Sequence, residues 1–425
     1  MATATSTTQV RNRWIIVIAA IVMQLALGSV YAWSVFSSQL QKLYGWDNTQ
    51  ATLPFTIAIL VLGIAAAIGG FWMDRVGPRI VGTTAAVCYG LGVFLAGFTG
   101  NQLALLCLAY GVLGGLGMGL GYIVPVATLV KWFPDKRGMV TGLAVFGFGG
   151  GAVIVSQVGP LLMSAYGGGV QARGIGPAFM TLGIIYLILI GLASQFYANP
   201  PAGYRPAGWT PSAQVIAQRA TRDLTPGEAL TRWQWYALWG ILALNVTAGI
   251  AMISQAKQIA LGGGAPDALA TLFVSLISIF NACGRFVWAW LSDLIGRRQV
   301  FMIMFALQVV LFLLMAVFVK SFAIILVPAL LVALCYGGGF GTMPAFTADY
   351  FGPKNSGSIY GLMLTAWSAG GVLGPILIAQ VKDRTGGYVV ALVALAIIMV
   401  LSFLLPLLTR PPRIEVEATG EAAPA

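Results

Sequence analysis

The chemistry of this sequence has to be read from Arg285. It stands eight positions before Asp293 in a run that is otherwise apolar and uncharged. Eight residues of helix span about 12 Å. A guanidinium at that depth in a low-dielectric medium is costly, so it is expected to face a water-filled cavity or an anion. No acidic residue is expected in the same layer, which makes a ligand the candidate counter-charge. Asn281, four residues earlier, falls on the same helix face. A planar cationic fork beside an amide suits a carboxylate: the fork bonds both oxygens, and the amide reaches a further oxygen or a neighbouring hydroxyl. The alternative is a guanidinium that snorkels to the interface or bonds freed backbone carbonyls.

Aromatic residues stand at similar depth on other apolar runs. Tyr122 lies about 14 Å along a helix from Lys131, Phe340 about 14 Å from Asp349 and Trp367 about 15 Å from Gly357. Tyr336 is one turn beyond Phe340. Together they would cage one cation and offer it phenolic hydroxyls. Each aromatic, taken singly, also fits a packing or lipid-facing role. Tyr31 and Trp33 sit nearer the other end of their run, where a gate is as good a reading as a ligand contact.

Proton carriers are scarce. The chain has no histidine, its glutamates (Glu228, Glu415, Glu417, Glu421) fall in polar segments, and its aspartates sit in loops or at run ends. No relay crosses the middle, so proton coupling would need Asp267, Asp349 or the carboxyl group of a ligand. Paired catalytic carboxylates, an activated nucleophile and a metal-ligand cluster are all missing from the apolar runs. An enzyme, a cofactor and a metal are therefore not expected. Cys88, Cys107, Cys283 and Cys335 show no paired spacing and imply neither a disulfide framework nor a metal site.

The elements that must position these residues follow from composition. Of 425 residues, 59% are hydrophobic and 8% charged, where soluble domains carry about a quarter charged. Twelve apolar spans are expected at 13–36, 49–73, 79–99, 102–131, 138–166, 176–197, 233–256, 267–291, 299–319, 322–350, 357–381 and 387–409. Each is long enough to cross a hydrocarbon core of roughly 30 Å. The fold class is an all-α polytopic membrane protein of twelve transmembrane helices. The 54 glycines, dense within spans as at Gly111 to Gly121, let helix backbones approach closely in lipid. The first span is too long for a signal-peptide core and is expected to be retained.

The expected organisation is a six-helix bundle over 1–198, a polar, weakly ordered linker at 199–232, a second bundle over 233–409 and a tail at 410–425. Setting Arg285 aside, sixteen Lys and Arg fall on the side of both termini and six on the other, which places the termini in the cytoplasm. The basic residues form no stripe, so the net charge of +11 indicates orientation rather than a nucleic-acid partner. The halves also repeat. Gly70-Phe71-Trp72-Met73-Asp74-Arg75-Val76-Gly77-Pro78-Arg79 after the second span is echoed by Asp293-Leu294-Ile295-Gly296-Arg297-Arg298 after the eighth, an offset of 219 residues (293 − 74). Two parallel six-helix repeats place a central site at their interface near the midplane.

The Gly70 to Arg79 run resembles the signature loop of the major facilitator superfamily. The resemblance implies that fold, a central cavity, and a conformational latch formed by Gly70, Asp74, Arg75, Gly77 and Arg79 with Asp293 and Arg297, Asp74 and the arginines pairing with each other and with helix ends. Phe280 to Arg285 with Trp288, Gly28 to Trp33, and Lys131 to Gly138 are similar to the oxalate/formate antiporter family, which is related to the animal monocarboxylate transporters. Within it the bacterial lactate carriers look nearest. Carriage of a small organic monoanion such as lactate or pyruvate by alternating access is then implied, with Arg285, Asn281, Tyr122, Tyr336, Phe340, Trp367 and Tyr31 as its contacts. A bacterial inner membrane and a monomer are implied as well.

Two departures from the family pattern matter. Trp367 stands where the oxalate carrier has a second cation, a lysine, which favours a monoanion over oxalate. Asn281 stands where the animal carriers have an acidic residue. Proton symport is therefore carried by the resemblance alone, and exchange of one anion for another, which needs no titratable protein group, is the next reading. Ala66, the position 219 residues before Arg285, argues against organophosphate exchange, which would favour two facing arginines.

Overall fold

The computed structural model describes residues 12–201, 203–206, 208–210 and 223–412. Among them, twelve helices are long and apolar enough to cross a membrane: α1 (Arg13–Tyr44), α2 (Gln50–Val76), α3 (Pro78–Ala96), α4 (Leu103–Trp132), α5 (Arg137–Tyr166), α6 (Gln171–Ser194), α7 (Trp233–Ser254), α8 (Leu272–Ile295), α9 (Arg297–Val317), α10 (Phe322–Phe351), α11 (Ser356–Lys382) and α12 (Val389–Leu408). All twelve fall where the apolar runs predict them. The first extends further than expected, to Tyr44. Arg11, Arg219, Arg222 and Arg413 of the charge tally lie outside the described residues, with most of the expected linker and tail and the side chain of Asp267.

Three spans lose α-helical regularity inside their length. α1 narrows to a 3₁₀ turn over Gly28–Ala32, α4 widens to a π stretch over Cys107–Gly114, and α11 breaks between Ser356–Met363 and Thr365–Thr385. At membrane depth, irregular backbone survives only where protein or a cavity covers it. Tyr31 lies within the 3₁₀ turn of α1, and Trp367 stands three residues after the break at Leu364 in α11.

The two six-helix repeats meet along two seams, α2 against α11 and α5 against α8. Glycine makes both seams tight. A Cβ added at Gly70 would overlap the carbonyl of Gly357, and one at Gly138 would overlap the carbonyl of Ala289. Both seams end at the face where the described chain begins and finishes, here termed the terminal face. The end of the expected linker is more ordered than its composition implies. Thr225 and Glu228 form a reciprocal cap on the short helix Pro226–Leu230, and Leu224 N donates to Phe351 O at 2.8 Å. Polar composition hides this docking, because the partner groups are backbone atoms at the end of α10.

Candidate anion site

Arg285 is wholly buried, with 0% of its side chain exposed. Close backbone packing holds its segment of α8. A Cβ at Gly341 of α10 would overlap the Arg285 carbonyl oxygen, and one at Gly142 of α5 would stand 2.6 Å from it. The guanidinium carbon lies 5.0 Å from the ring centre of Phe340, 5.5 Å from Phe148 and 5.9 Å from Tyr31. Snorkelling to an interface and bonding to backbone carbonyls are thereby both ruled out. None of Nε, Nη1 and Nη2 makes a hydrogen bond of ordinary geometry among the described residues.

The surrounding rings form a closed box. Trp367 meets Phe340 at 4.6 Å, Tyr122 at 5.4 Å and Phe148 at 5.7 Å between ring centres. Phe148 in turn touches Tyr31 at 5.4 Å and Tyr122 at 5.3 Å, while Tyr336 packs on Phe340 at 5.3 Å. The phenols of Tyr31, Tyr122, Tyr336 and Tyr360 all lie within electrostatic range of the guanidinium. Among the described residues, several buried polar atoms make no hydrogen bond of ordinary geometry here: the hydroxyls of Tyr31, Tyr122 and Tyr360, Asn281 Oδ1 and the indole nitrogen of Trp367. Six of the seven residues read from sequence thus come together, and two more, Phe148 and Tyr360, join them; Asn281 stands one turn before Arg285 on α8, packed against Gly337 of α10. Trp33 does not. Its indole donates to Ala51 O at 2.9 Å and its ring packs on Tyr110 and Phe179 within the first half.

Magnitudes say what the box lacks. Burying a guanidinium costs several kcal/mol even after relaxation, and each cation–π contact returns about 0.5–2 kcal/mol. Three rings offset part of that penalty but leave the N–H groups without a hydrogen bond of ordinary geometry among the described residues. A single carboxylate would accept two of them in parallel. Its other lone pairs would find the phenols and the Asn281 amide.

Below the box, the terminal face is held shut by carboxylates seated on helix starts. Asp74 at the end of α2 accepts from Ser358 N and Ser358 Oγ of α11, both at 2.8 Å. Asp293 at the end of α8 accepts from Gly138 N at 3.0 Å and Met139 N at 2.7 Å of α5. Backbone N–H groups at a helix start favour such anions. Lys131 adds an ion pair to Asp74 at 3.2 Å. In the second half, Arg297 binds Asp293 at 2.6 Å and Asp349 at 3.1 Å, and Asp349 reaches across to Arg137 of α5 at 2.6 Å.

The expected pairing of Asp74 with Arg75 and Arg79 is not made. Both arginines are exposed, and Lys131 takes their place because the end of α4 lies nearer the carboxylate. Gly77 turns the chain between α2 and α3 at φ 88°, a backbone conformation that only glycine adopts readily. Asp349 is paired within this cluster, with Arg137 and Arg297. Asp267 opens the helix Asp267–Ile295, eighteen residues and so about 27 Å along it from Arg285.

A buried cation between two six-helix repeats that close one face by paired seams defines a membrane transporter of the major facilitator type. The description of the Major Facilitator Superfamily matches residues 16–263 and 238–424, and the chain belongs to that family. It is 27% identical to the oxalate:formate antiporter of Oxalobacter formigenes, with 99% of this chain and 98% of that one aligned. It is 26% identical to monocarboxylate transporter 13 of Rattus norvegicus over 89% of this chain and 85% of the other. Among solved structures, the fucose:proton symporter FucP of E. coli has the same fold, with a TM-score of 0.72 at 15% identity over 93% of this chain and 98% of that one.

Proposed function

We propose that the protein carries short monocarboxylates such as lactate and pyruvate across a bacterial inner membrane by alternating access, with the carboxylate bound to Arg285. The observation that carries this reading is the enclosed guanidinium whose three nitrogens make no hydrogen bond of ordinary geometry among the described residues. The relatives named for oxalate, formate and monocarboxylates handle the same class of cargo. One cation balances one carboxylate, and the bulky Trp367 over it leaves no second charge for a dianion. The bundles 1–198 and 233–409 are the moving bodies, joined by the linker 199–232. The tail 410–425 and both termini are cytoplasmic, and a single copy suffices.

Two coupling modes stand. Proton symport would draw its proton from Asp267, Asp349 or the substrate's own carboxyl. Exchange of one monoanion for another is favoured by a specific observation: no carboxylate of the protein faces Arg285 among the described residues, and Asp349 is engaged by Arg137 and Arg297. Uptake of labelled lactate, pyruvate, formate and oxalate into proteoliposomes decides between them. Acceleration by outside acid alone supports symport, whereas acceleration by unlabelled substrate inside alone supports exchange. Absence of saturable uptake for every monocarboxylate would sink the assignment.

A further inference from the structure

At the terminal face, far from the aromatic box, a cleft of about 130 Å³ opens between the start of α9, the end of α10 and the end of α12. Arg297, Arg298 and Arg410 line it against one carboxylate, Asp349. Arg298 is fixed by donating from Nε to Pro406 O at 2.6 Å and from Nη2 to Leu407 O, which leaves Nη1 uncommitted among the described residues. Arg410 is exposed and forms no ion pair among them. The Tyr350 hydroxyl donates to Thr409 O at 3.2 Å and ties the end of α10 to that of α12. Next to the arginines, the surface turns apolar: Leu404, Leu407 and Leu408 of α12 and Ile303 of α9 are exposed, Leu408 to 67%.

We propose that this cleft binds the phosphate headgroup of an anionic phospholipid, whose acyl chains run along the exposed leucines of α12, and that the bound lipid favours the closed terminal face. Cationic side chains at a membrane interface recognise such headgroups, and the cleft is large enough for one phosphate.

Its coupling to the latch follows from charge. With the face closed, Arg137, Arg297, Arg298 and Arg410 surround Asp293 and Asp349, four cations against two anions. Once α5 withdraws Arg137, three cations remain against two. An anion in the cleft therefore binds the closed form more tightly, and by linkage it shifts the population that way.

The test places the full-length chain in nanodiscs of pure phosphatidylcholine, or with phosphatidylglycerol added. Lipid retention and the distance between spin labels at Lys136 and Lys354, on opposite halves, are then read. Phosphatidylglycerol is expected to be retained and to shift the distance towards the closed value. Arg410→Gln is expected to weaken retention about fivefold, with Arg410→Lys restoring it. Arg298→Gln should do the same as Arg410→Gln, but Arg410→Gln leaves the tie between α9 and α12 intact and is the decisive variant. Equal retention in wild type and Arg410→Gln would overturn the site. Inorganic phosphate that displaces phosphatidylglycerol at matched concentration would overturn the lipid assignment, and a lengthened distance would overturn the coupling.

Discussion

The two seams that join the halves, α2 with α11 and α5 with α8, repeat each other residue by residue at the offset of 219. Gly361 packs on the backbone of Ala66 as Gly142 packs on that of Arg285, and Gly357 on Gly70 as Gly138 on Ala289. Ser358 N caps onto Asp74 as Met139 N caps onto Asp293. Backbone contacts and caps are shared, whereas the side chains at one level are not: Ala66 and Leu62 face Arg285 and Asn281 at equivalent positions. The closing contacts are thus a symmetric property of the fold, and the enclosed cation is an asymmetric property of a few side chains. Under the proposed function, the two halves would rock as equals around a site that belongs mainly to the second.

The largest effect is expected from Arg285→Lys, which keeps the asymmetric charge but removes its planar fork. An ammonium cannot offer two parallel N–H bonds. Losing one charge-assisted hydrogen bond amounts to about 1.5–3 kcal/mol, a transport loss on the order of tenfold to a hundredfold. Uptake of labelled lactate by a correctly folded Arg285→Lys chain measures it, and wild-type uptake would refute the role given to the fork.

Next come substitutions that test the symmetry itself. Gly142→Val and Gly361→Val each insert a branched side chain against facing backbone, and overpacking of this kind costs about 1–3 kcal/mol. If the seams are equivalent, both variants open the terminal face to a comparable degree, read as accessibility of a label at Lys136 or Lys354. A large effect at one seam and none at the other would mean that a single seam controls closure.

The caps sharpen the comparison further. Replacing a capping carboxylate typically costs about 0.5–2 kcal/mol. Asp293→Asn is expected to exceed Asp74→Asn, because Asp293 also holds Arg297 at 2.6 Å, whereas Asp74 has Lys131 at 3.2 Å. Melting temperatures of the two variants in one detergent give the order, and a larger loss for Asp74→Asn would show that the second-half arginine cluster adds nothing to the latch.

Sequence made some of this legible for a physical reason. A charge within an apolar span is expensive wherever it points, so Arg285 declares itself without neighbours, and its same-face partner Asn281 follows from helix geometry. Asp74 and Asp293 were legible as repeats of one loop. Their partners were not, since Ser358 N and Met139 N are backbone groups that any residue supplies. Phe148 carried no signal of its own, being one apolar residue in an apolar, glycine-rich span. Yet the offset of 219 counted back from Trp367 lands on Phe148, so the repeat could have found it. Tyr360 lay outside every depth count made from a single helix end. The 3₁₀ turn at Gly28–Ala32 depends on a tertiary contact, where a Cβ at Gly28 would overlap the Phe148 carbonyl.

The smallest expected effect concerns that symmetric aromatic pair, Phe148 and Trp367, which meet across the box at 5.7 Å. Phenylalanine at position 367 would make the two seams alike at this level. The indole nitrogen of Trp367 is buried without a hydrogen bond among the described residues, so Trp367→Phe removes an unsatisfied donor and leaves the fold nearly unchanged in stability. If that N–H is reserved for substrate, its loss takes away about 1 kcal/mol of binding, a rise of roughly fivefold in the half-saturating lactate concentration with little change in maximal rate. Unchanged half-saturation would assign the indole to packing, and the asymmetry of the site would then reduce to Arg285, Asn281 and the phenols around them.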